Sequence, residues 1–580
     1  MELRSTEGVY KDVAAAAAPP QSNHMRTSPT TGSDKSLNFI EEIIEEDMAS
    51  GKHDGRVHTR FPPEPNGYLH IGHCKAITIN FELAKRYGGK TNLRFDDTNP
   101  TTEDTEYVDG IKQDIQWLGY TWDEEHFASD YFPRLYEFAV ELIKKGLAYV
   151  DDSTPEEIAA QKGIPTEPGT ESPYRNRSIA ENLDLFERMK NGEFPDGSRV
   201  LRAKGDMSSP NMHFRDSLMY RIKRATHHRT GDDWVIYPMY DFAHGQSDSI
   251  EHITHSLCSL EFRHHRPLYN WYIEQLDIFP SRQIEFARMN VAYLITSKRR
   301  LKLLVDRGVV TGWDDPRMPT IAGMRRRGYP AAALRTFCEK AGVARRENLI
   351  EYELLEFCVR AELNELAERR MAVLDPLKIV ITNYPENKLE YLPAVNNPQD
   401  ETAGTREIAF GRELYIERKD FREQANKKYF GMSVGRDVRL KHAYILHCES
   451  IIKNKAGEVV EAHCTYYQDS KSGSDTSGRK PKGTLHYVEA TTAVLAEFRQ
   501  YDKLFTDPTP LGHEGKDFAD FLNPDSLKLV EGLVEPAAAK AAPGTYLQFL
   551  RNGYYCVDAD STEERPVFNA TVNLKSSYKG

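Results

Sequence analysis

Two histidines, His70 and His73, flank Gly72 directly after a run containing Pro62, Pro63, Pro65 and Gly67. The prolines and the glycine fix a rigid turn and exclude further strand or helix. A helix is therefore expected to open at the histidines. A helix N-terminus presents unpaired N–H groups and a partial positive charge, which suits a polyphosphate. Gly72 has no side chain, so a flat base can lie against the backbone. The two imidazoles can donate hydrogen bonds to phosphate oxygens. This is a nucleotide site with no Walker lysine and no Gly-x-Gly-x-x-Gly. Taken alone, such a pair could as well cap a helix or fill a core. The Glu64-Pro65-Asn66-Gly67 lead-in favours the site.

The elements that must position this stretch follow from hydrophobic spacing. Phe39, Ile40, Ile43, Ile44 and Met48 have helical spacing, and Gly51 ends that helix. A short strand ending at Arg60 and Phe61 precedes the turn, and a helix to about Arg86 follows it. Residues 91 to 100 form a second strand ending in Asp96 and Asp97. In open α/β sheets ligands gather at the carboxyl ends of strands, and Asp96 is read as facing the site. Asp97 is read as structural, capping a helix that begins near Glu103. From about 130 to 231 the pattern is mixed and looks like an inserted domain. The α/β fold resumes at 234 to 248, where Val235, Ile236 and Tyr237 read as a buried strand with Tyr240, His244 and Asp248 after it. Residues 254 to 265 are expected to open another helix. Residues 300 to 366 read as mainly helical, with Arg325, Arg326 and Arg327 before a further helix. From about 368 the chain becomes strand-rich, bounded by Gly, Pro, Asn and Asp, which reads as antiparallel barrels. Internal repeats and heptads are absent from the sequence.

His70-Ile71-Gly72-His73 resembles the signature of the class I aminoacyl-tRNA synthetases. The longer stretch through His73 resembles the glutamine and glutamate branch, its glutamine members most closely, and the likeness runs from about 39 to 568. Ile295-Thr296-Ser297-Lys298-Arg299 is similar to the mobile lysine loop of the class, with Thr296 where the family usually has Met. The resemblance implies ATP, with magnesium on its triphosphate and no zinc, and it implies L-glutamine and the cognate glutamine tRNA as partners. His70, His73 and Lys298 become the catalytic residues. The ATP contacts become Glu64, Pro65, Asn66, Ile71, Gly72, Cys74, Lys75, Ala76, Ser259, Arg288, Met289, Thr296 and Ser297 as well. Arg60, Asp96 and Tyr240 become the glutamine contacts, with Asp96 on the α-ammonium group, Glu64 a candidate to offset the Arg60 charge, and His244 left between core and ligand. The segment 263 to 265 would face the acceptor stem. Arg369, Gln548 and Arg551 match anticodon contacts, and Lys427 and Lys428 lie in a loop matching a further one.

The implied fold is a Rossmann-type catalytic domain (36–129 and 232–299) interrupted by an acceptor-binding domain (130–231). A helical subdomain (300–367) and two antiparallel barrels (368–580) follow, after an extension, 1–35, read as disordered from its Ala, Ser, Thr and Pro content. A relative of the barrel-bearing glutamate type, a non-catalytic tRNA-binding paralogue and a tRNA-independent adenylate-forming ligase are the competing readings. The paralogue would tend to lose His70, His73 or Lys298, all of which are present.

Composition constrains the rest. The chain has 580 residues, 39% hydrophobic, so several domains are expected. No apolar run approaches a membrane span. The seven cysteines include no C-x-x-C pair, so neither a zinc site nor a disulfide framework is suggested. A reducing cytoplasm and a monomer fit. The net charge of -12 argues against nucleic acid only on average, because binding needs just a local basic surface such as 298–302 or 325–327.

Overall fold

A computed structural model describes residues 36–101, 104–426 and 428–578. The expected disorder of 1–35 and the contact assigned to Lys427 lie outside the described residues. The helix expected near Glu103 runs Thr105–Trp117, and its N-cap is Asp104, not Asp97, because Asp104 is adjacent and its carboxylate accepts from the Glu106 N–H. The chain forms two compact units, one of residues 36–290 with 338–350, the other of 291–337 with 351–578. Among the described residues no helix is long and apolar enough to cross a membrane.

The first unit is built on parallel strands. His58–Phe61 pairs with Lys90–Phe95, which pairs with Glu125–Phe127. His255–Ser259 pairs in parallel with Arg282–Phe286 and lies beside the first strand, where Thr254 donates its N–H to His58 O. Residues 254 to 259, expected to open a helix, are therefore mostly strand, and the helix starts later, at Arg266–Leu276. Helix Ile71–Arg86 crosses between the first two strands and buries Ile79 and Leu83 with Ile40, Ile44, Val57, Leu257, Ile284 and Phe286. Helix Phe39–Ala49 has a two-way cap. Asn38 Oδ1 accepts from the N–H of Ile40, and Glu41 returns a carboxylate to the Asn38 N–H. Gly51, at φ +70°, turns the chain away after it.

The inserted segment carries an antiparallel sheet of Ala148–Asp151, Val200–Ala203, Leu218–Ile222 and Ile236–Pro238. The last strand was expected to belong to the α/β sheet. It pairs instead with Leu218–Ile222, and its Tyr237 packs with Phe132, Phe186, Phe242 and Tyr272. A short buried strand reveals its burial by composition but not its partner.

In the second unit the three arginines close helix Ile321–Arg327 and, as expected, precede the next helix, Ala331–Ala341. Helix Ile321–Arg327 stops at Gly328, φ +96°, where a Cβ would stand 2.4 Å from Cys556 Cβ. The strand-rich tail forms two seven-stranded sheets, each with a buried core. They are mixed, not purely antiparallel. In one, Pro376–Ile381, Glu413–Glu417, Asp437–Leu440, Ile445–Lys453 and Val459–Tyr467 supply five strands, with the first parallel to the fifth. In the other, Val494–Tyr501, Leu527–Val534, Tyr546–Phe549, Gly553–Val557 and Val567–Val572 repeat that arrangement. Each five-stranded set is completed by a short strand pair. Glu368–Arg370 and Ala372–Val373 precede the first set in sequence, yet they pair with the second, in parallel on Tyr546–Phe549 and antiparallel on Leu527–Val534. Thr484–Leu485 and Val488–Glu489 precede the second set and pair with the first in the same two ways. The repeat that composition hides is thus plain in the pairing. Two barrel-like sheets of the same strand order exchange their edge pairs.

Candidate active site

His70 is the N-cap of helix Ile71–Arg86. Its Nδ1 accepts from the Gly72 N–H at 3.1 Å, and the His70 N–H donates to His73 Nδ1 at 3.1 Å. A backbone N–H can only donate, so both rings carry their proton on Nε2 when neutral. Both keep it there in the working pH range. Burial lowers the His70 pKa well below its usual value, with His73 adding to the shift, and burial lowers His73 to about 4. The rings are only half covered by surface area, yet the walls around them still disfavour charge. They stack at 3.9 Å. The result is two neutral Nε2–H donors at a helix N-terminus. Gly72 serves this arrangement directly, because a Cβ there would stand 2.9 Å from the His70 ring.

The other residues of the stretch turn elsewhere. Ile71 and Cys74 are buried, and Cys74 Sγ lies 3.6 Å from Cys338 Sγ. Lys75 is buried and donates to Ala287 O at 2.8 Å, so its ammonium ties the helix to the end of strand Arg282–Phe286 and does not point to a ligand. Ala76 packs on the core. Pro65 is buried, and its carbonyl accepts from the Asp104 N–H. Asn66 donates to the exposed Glu64 carboxylate at 2.6 Å. Ser259 and Arg288 both donate to Glu261, at 2.8 and 3.1 Å, while Met289 is buried beside Arg288.

Arg60 lies at the centre of a buried charge cluster. Nε donates to Asp248 Oδ1 at 2.9 Å, Nη1 to Leu257 O at 2.9 Å, and Nη2 to Ser256 Oγ at 2.9 Å with His244 Nε2 at 3.0 Å. The guanidinium is fully buried by these contacts. Its charge is offset by Asp248, not by Glu64. Arg60 aligns with Asn92 in the sheet, so Arg94, two residues on, shares its face. Arg94 donates to Asp96 Oδ1 and Asp248 Oδ1, both at 2.8 Å, and to Glu251 Oε1 at 3.1 Å. Asp248 also accepts from Ser256 Oγ at 2.6 Å and Tyr269 OH at 3.0 Å. Burial alone would raise the Asp248 pKa, but Arg60, His244 and Arg94 drive it far below the carboxylate range.

The cluster sets two guanidinium groups against three carboxylates, Asp96, Asp248 and Glu251. It is one negative charge in excess before His244 is counted. Burial opposes protonation of His244, but Asp248 and Asp96 outweigh it and raise its pKa to about 9. Protonated, His244 brings the cluster to charge balance, and its Nε2 lies 3.0 Å from Arg60 Nη2 and 3.4 Å from Asp248 Oδ2. Asp96 Oδ2 has no hydrogen-bond partner although it is buried, with His244 Nδ1 standing 3.8 Å away. Burial of Asp96 is outweighed by Arg94, so its carboxyl stays charged. An unpaired buried carboxylate oxygen is costly unless a donor arrives. Tyr240, the first residue of helix Tyr240–Ile250, stacks between His244 and Phe262. Its hydroxyl makes no hydrogen bond to a described residue.

Asp97 is committed to structure. It accepts from Ser129 N and Oγ at 2.8 and 2.7 Å and contacts His228 Nε2 at 3.1 Å. The sequence reading gave no role to Arg94, Asp248, Glu251, Ser256 or Tyr269. One signal was available, since Tyr240, His244 and Asp248 recur at four-residue intervals on one helix face.

Lys298 opens helix Lys298–Asp306 in the second unit and is exposed, with Thr296 and Ser297 half-buried before it. Ile295 fixes that loop by packing with Leu301, Leu304, Leu504, Phe505 and Phe518. Arg369 is buried and spends its guanidinium on Asn397 Oδ1 and Asn364 O, each at 2.8 Å. Gln548 is its partner in the sheet. Arg551, at φ +66°, forms a two-pronged ion pair with the buried Asp420. Lys428 is exposed nearby in sequence to that acid.

Residues 56–365 match the family described as tRNA synthetases class I (E and Q), catalytic domain, and 367–467 and 484–558 match its two anti-codon binding domains. A glutamine--tRNA ligase of Clostridium perfringens is 56% identical over 95% of this chain and 100% of the relative. One of Rhodopirellula baltica is 54% identical over 99% and 95%. A solved glutamate tRNA ligase of Elizabethkingia meningosepticum aligns at 17% identity and a TM-score of 0.41 over 54% of this chain and 70% of that one, too distant to add to the assignment. On the full-length match of sequence and the three domain matches, the chain belongs to the class I tRNA synthetases of the E and Q branch.

Proposed function

We propose that the chain is an ATP-dependent glutamine–tRNA ligase. The glutamine carboxylate attacks the α-phosphate of ATP, pyrophosphate leaves, and a terminal ribose hydroxyl of tRNA then takes the glutaminyl group. Magnesium accompanies the triphosphate and neutralises part of its charge. Phosphoryl transfer needs positioning and charge stabilisation more than covalent help. His70 and His73 supply two fixed Nε2–H donors for phosphate oxygens, with no proton to gain or lose. Lys298 holds the departing phosphates. Its exposure at a helix start suits a group that engages on binding.

The observation that carries the amino-acid reading is the buried, unpaired Asp96 Oδ2. An α-ammonium satisfies that oxygen. Tyr240 OH accepts from the side-chain amide. A glutamate side chain would bring a second, uncompensated negative charge into the same site, which is costly. That argument, with the named relatives, favours glutamine over the glutamate-type alternative. ATP–pyrophosphate exchange with each amino acid, with and without tRNA, tests the assignment. With cognate tRNA present, glutamine is charged, and glutamate at equal concentration is essentially not. Efficient glutamate attachment would overturn the specificity.

The inserted segment, with 263 to 265, is assigned to the acceptor end of tRNA, and the exchanged barrels to the anticodon, in a cytoplasmic monomer. Unstacked bases are read by hydrogen bonds and stacking. Arg369 is buried with its donors spent internally, whereas Arg551 is exposed and its pair with Asp420 uses two of five N–H donors, so Gln548 and Arg551 are the better readers. Arg551→Ala is expected to weaken discrimination among anticodon variants about tenfold or more, as loss of one charged base contact does. Unchanged kcat/KM ratios across those variants would remove Arg551 from the reading surface.

A further inference from the structure

Two clusters in the first unit bring three metal-capable side chains together, Asp97 with His227 and His228, and Asp241 with His213 and His265. In the first the ligand atoms are consumed. Asp97 accepts from Ser129 and contacts His228, and His227 Nε2 faces Asp97 O at 2.8 Å while its Nδ1 accepts from the Arg229 and Thr230 N–H groups. That cluster is a closed hydrogen-bond knot.

The second differs. Its only internal bond joins His265 Nδ1 to Asp241 Oδ1 at 2.6 Å. Neither ring nitrogen of His213 hydrogen-bonds to a described residue, and the ring stacks 3.8 Å from that of His265. All three side chains are half-buried and open to solvent. They come from separate elements. Asp241 lies in the first turn of helix Tyr240–Ile250, His265 precedes helix Arg266–Leu276, and His213 sits in a short turn whose N–H is capped by Asn211. The donor atoms already lie within 4.8 Å of one another.

We propose that His213, Asp241 and His265 form a binding site for a divalent transition cation of the zinc type. Two imidazoles and one carboxylate with a solvent-facing fourth position are the ligand set of open zinc sites. Ligands at about 2.1 Å in tetrahedral array stand about 3.4 Å apart, so the Asp241–His265 contact must open by less than an ångström. Rotation of two half-exposed side chains provides that. The donor set holds two imidazoles against a single carboxylate, one oxygen ligand where a hard ion would want several. A hard ion is therefore disfavoured there, whereas imidazole bonding selects zinc, nickel, copper or cobalt. Because Asp241 follows Tyr240, the ion would tie the start of that helix to the 264–265 tip.

Cobalt(II) titrated into the full chain tests the site, since three-ligand cobalt absorbs visibly. One ion per chain is expected, zinc displaces it, and His213→Ala and His265→Asn each weaken it more than tenfold while retaining the circular dichroism of the parent. His228→Asn, in the closed cluster, leaves the titration unchanged. No cobalt bound at large excess, or affinity unaltered in both the His213 and His265 variants, would overturn the proposal.

Discussion

Asp248→Ala will destabilise the first unit more than any other single substitution at its site. The carboxylate is fully buried and accepts from Arg60, Arg94, Ser256 and Tyr269. Its loss leaves two buried guanidinium groups facing Asp96 and Glu251 alone. Removing one partner of a buried ion pair costs about 3–5 kcal/mol, which corresponds to a fall in melting temperature on the order of 10 °C for a unit of this size. The effect has a defined pH signature. A carboxylate with a depressed pKa contributes stability that is present above its unfolded pKa, about 4, and is lost as pH falls toward its folded value. Parent and variant should therefore converge in acid and differ most at neutral pH. Thermal unfolding across pH measures this, and an equal midpoint at pH 7 would refute the account. Asp248→Asn keeps the shape and isolates the charge. It should fold, yet, with the glutamine site as proposed, bind glutamine far more weakly, because the buried Arg60 then loses its carboxylate partner.

Lys298→Ala should slow adenylate formation by about 100-fold or more, as loss of one transition-state contact of this kind does. The loop itself should survive, because its anchor is Ile295 in an apolar cluster that the substitution does not touch. Affinity for tRNA should stay near that of the parent. Single-turnover activation at the parent rate would remove Lys298 from the chemistry. Burial holds both His70 and His73 neutral by lowering their pKa values, so the pH dependence of the activation step in parent enzyme should owe little to them.

The cap built by His70, Gly72 and His73 was legible in sequence because it is local: the residues are contiguous and turn chemistry fixes their entry. The placement of Asp96 at the end of a strand was legible from the strand pattern before it. The counter-charge to Arg60 was not, since Asp248 lies 188 residues away and only the fold brings it close. Glu64, adjacent in sequence, was the wrong candidate for the same reason. Lys75 misled in another way, because a lysine beside a phosphate signature looks like a ligand, yet its carbonyl partner on a distant strand buries it. In the tail, strand content could be read from residue type, but which strands run parallel could not. Pairing direction depends on connections between segments, and alternation in one segment carries no trace of it.

The exchanged edge pairs also bear on how the tail is made. A barrel that borrows its closing strands from the far side of its neighbour cannot close as it leaves the ribosome. The pair at Glu368–Arg370 and Ala372–Val373 emerges first and must wait for Tyr546–Phe549 and Leu527–Val534, more than 150 residues later. The first barrel waits for 484 to 489. Non-local pairings of this kind slow folding, because loop closure precedes its reward. The first sheet is thus complete once residue 489 is made, whereas the second must hold the early pair at 368–373, and a proteolytic nick that separates that pair from 527–549 leaves an open sheet edge, an invitation to aggregation.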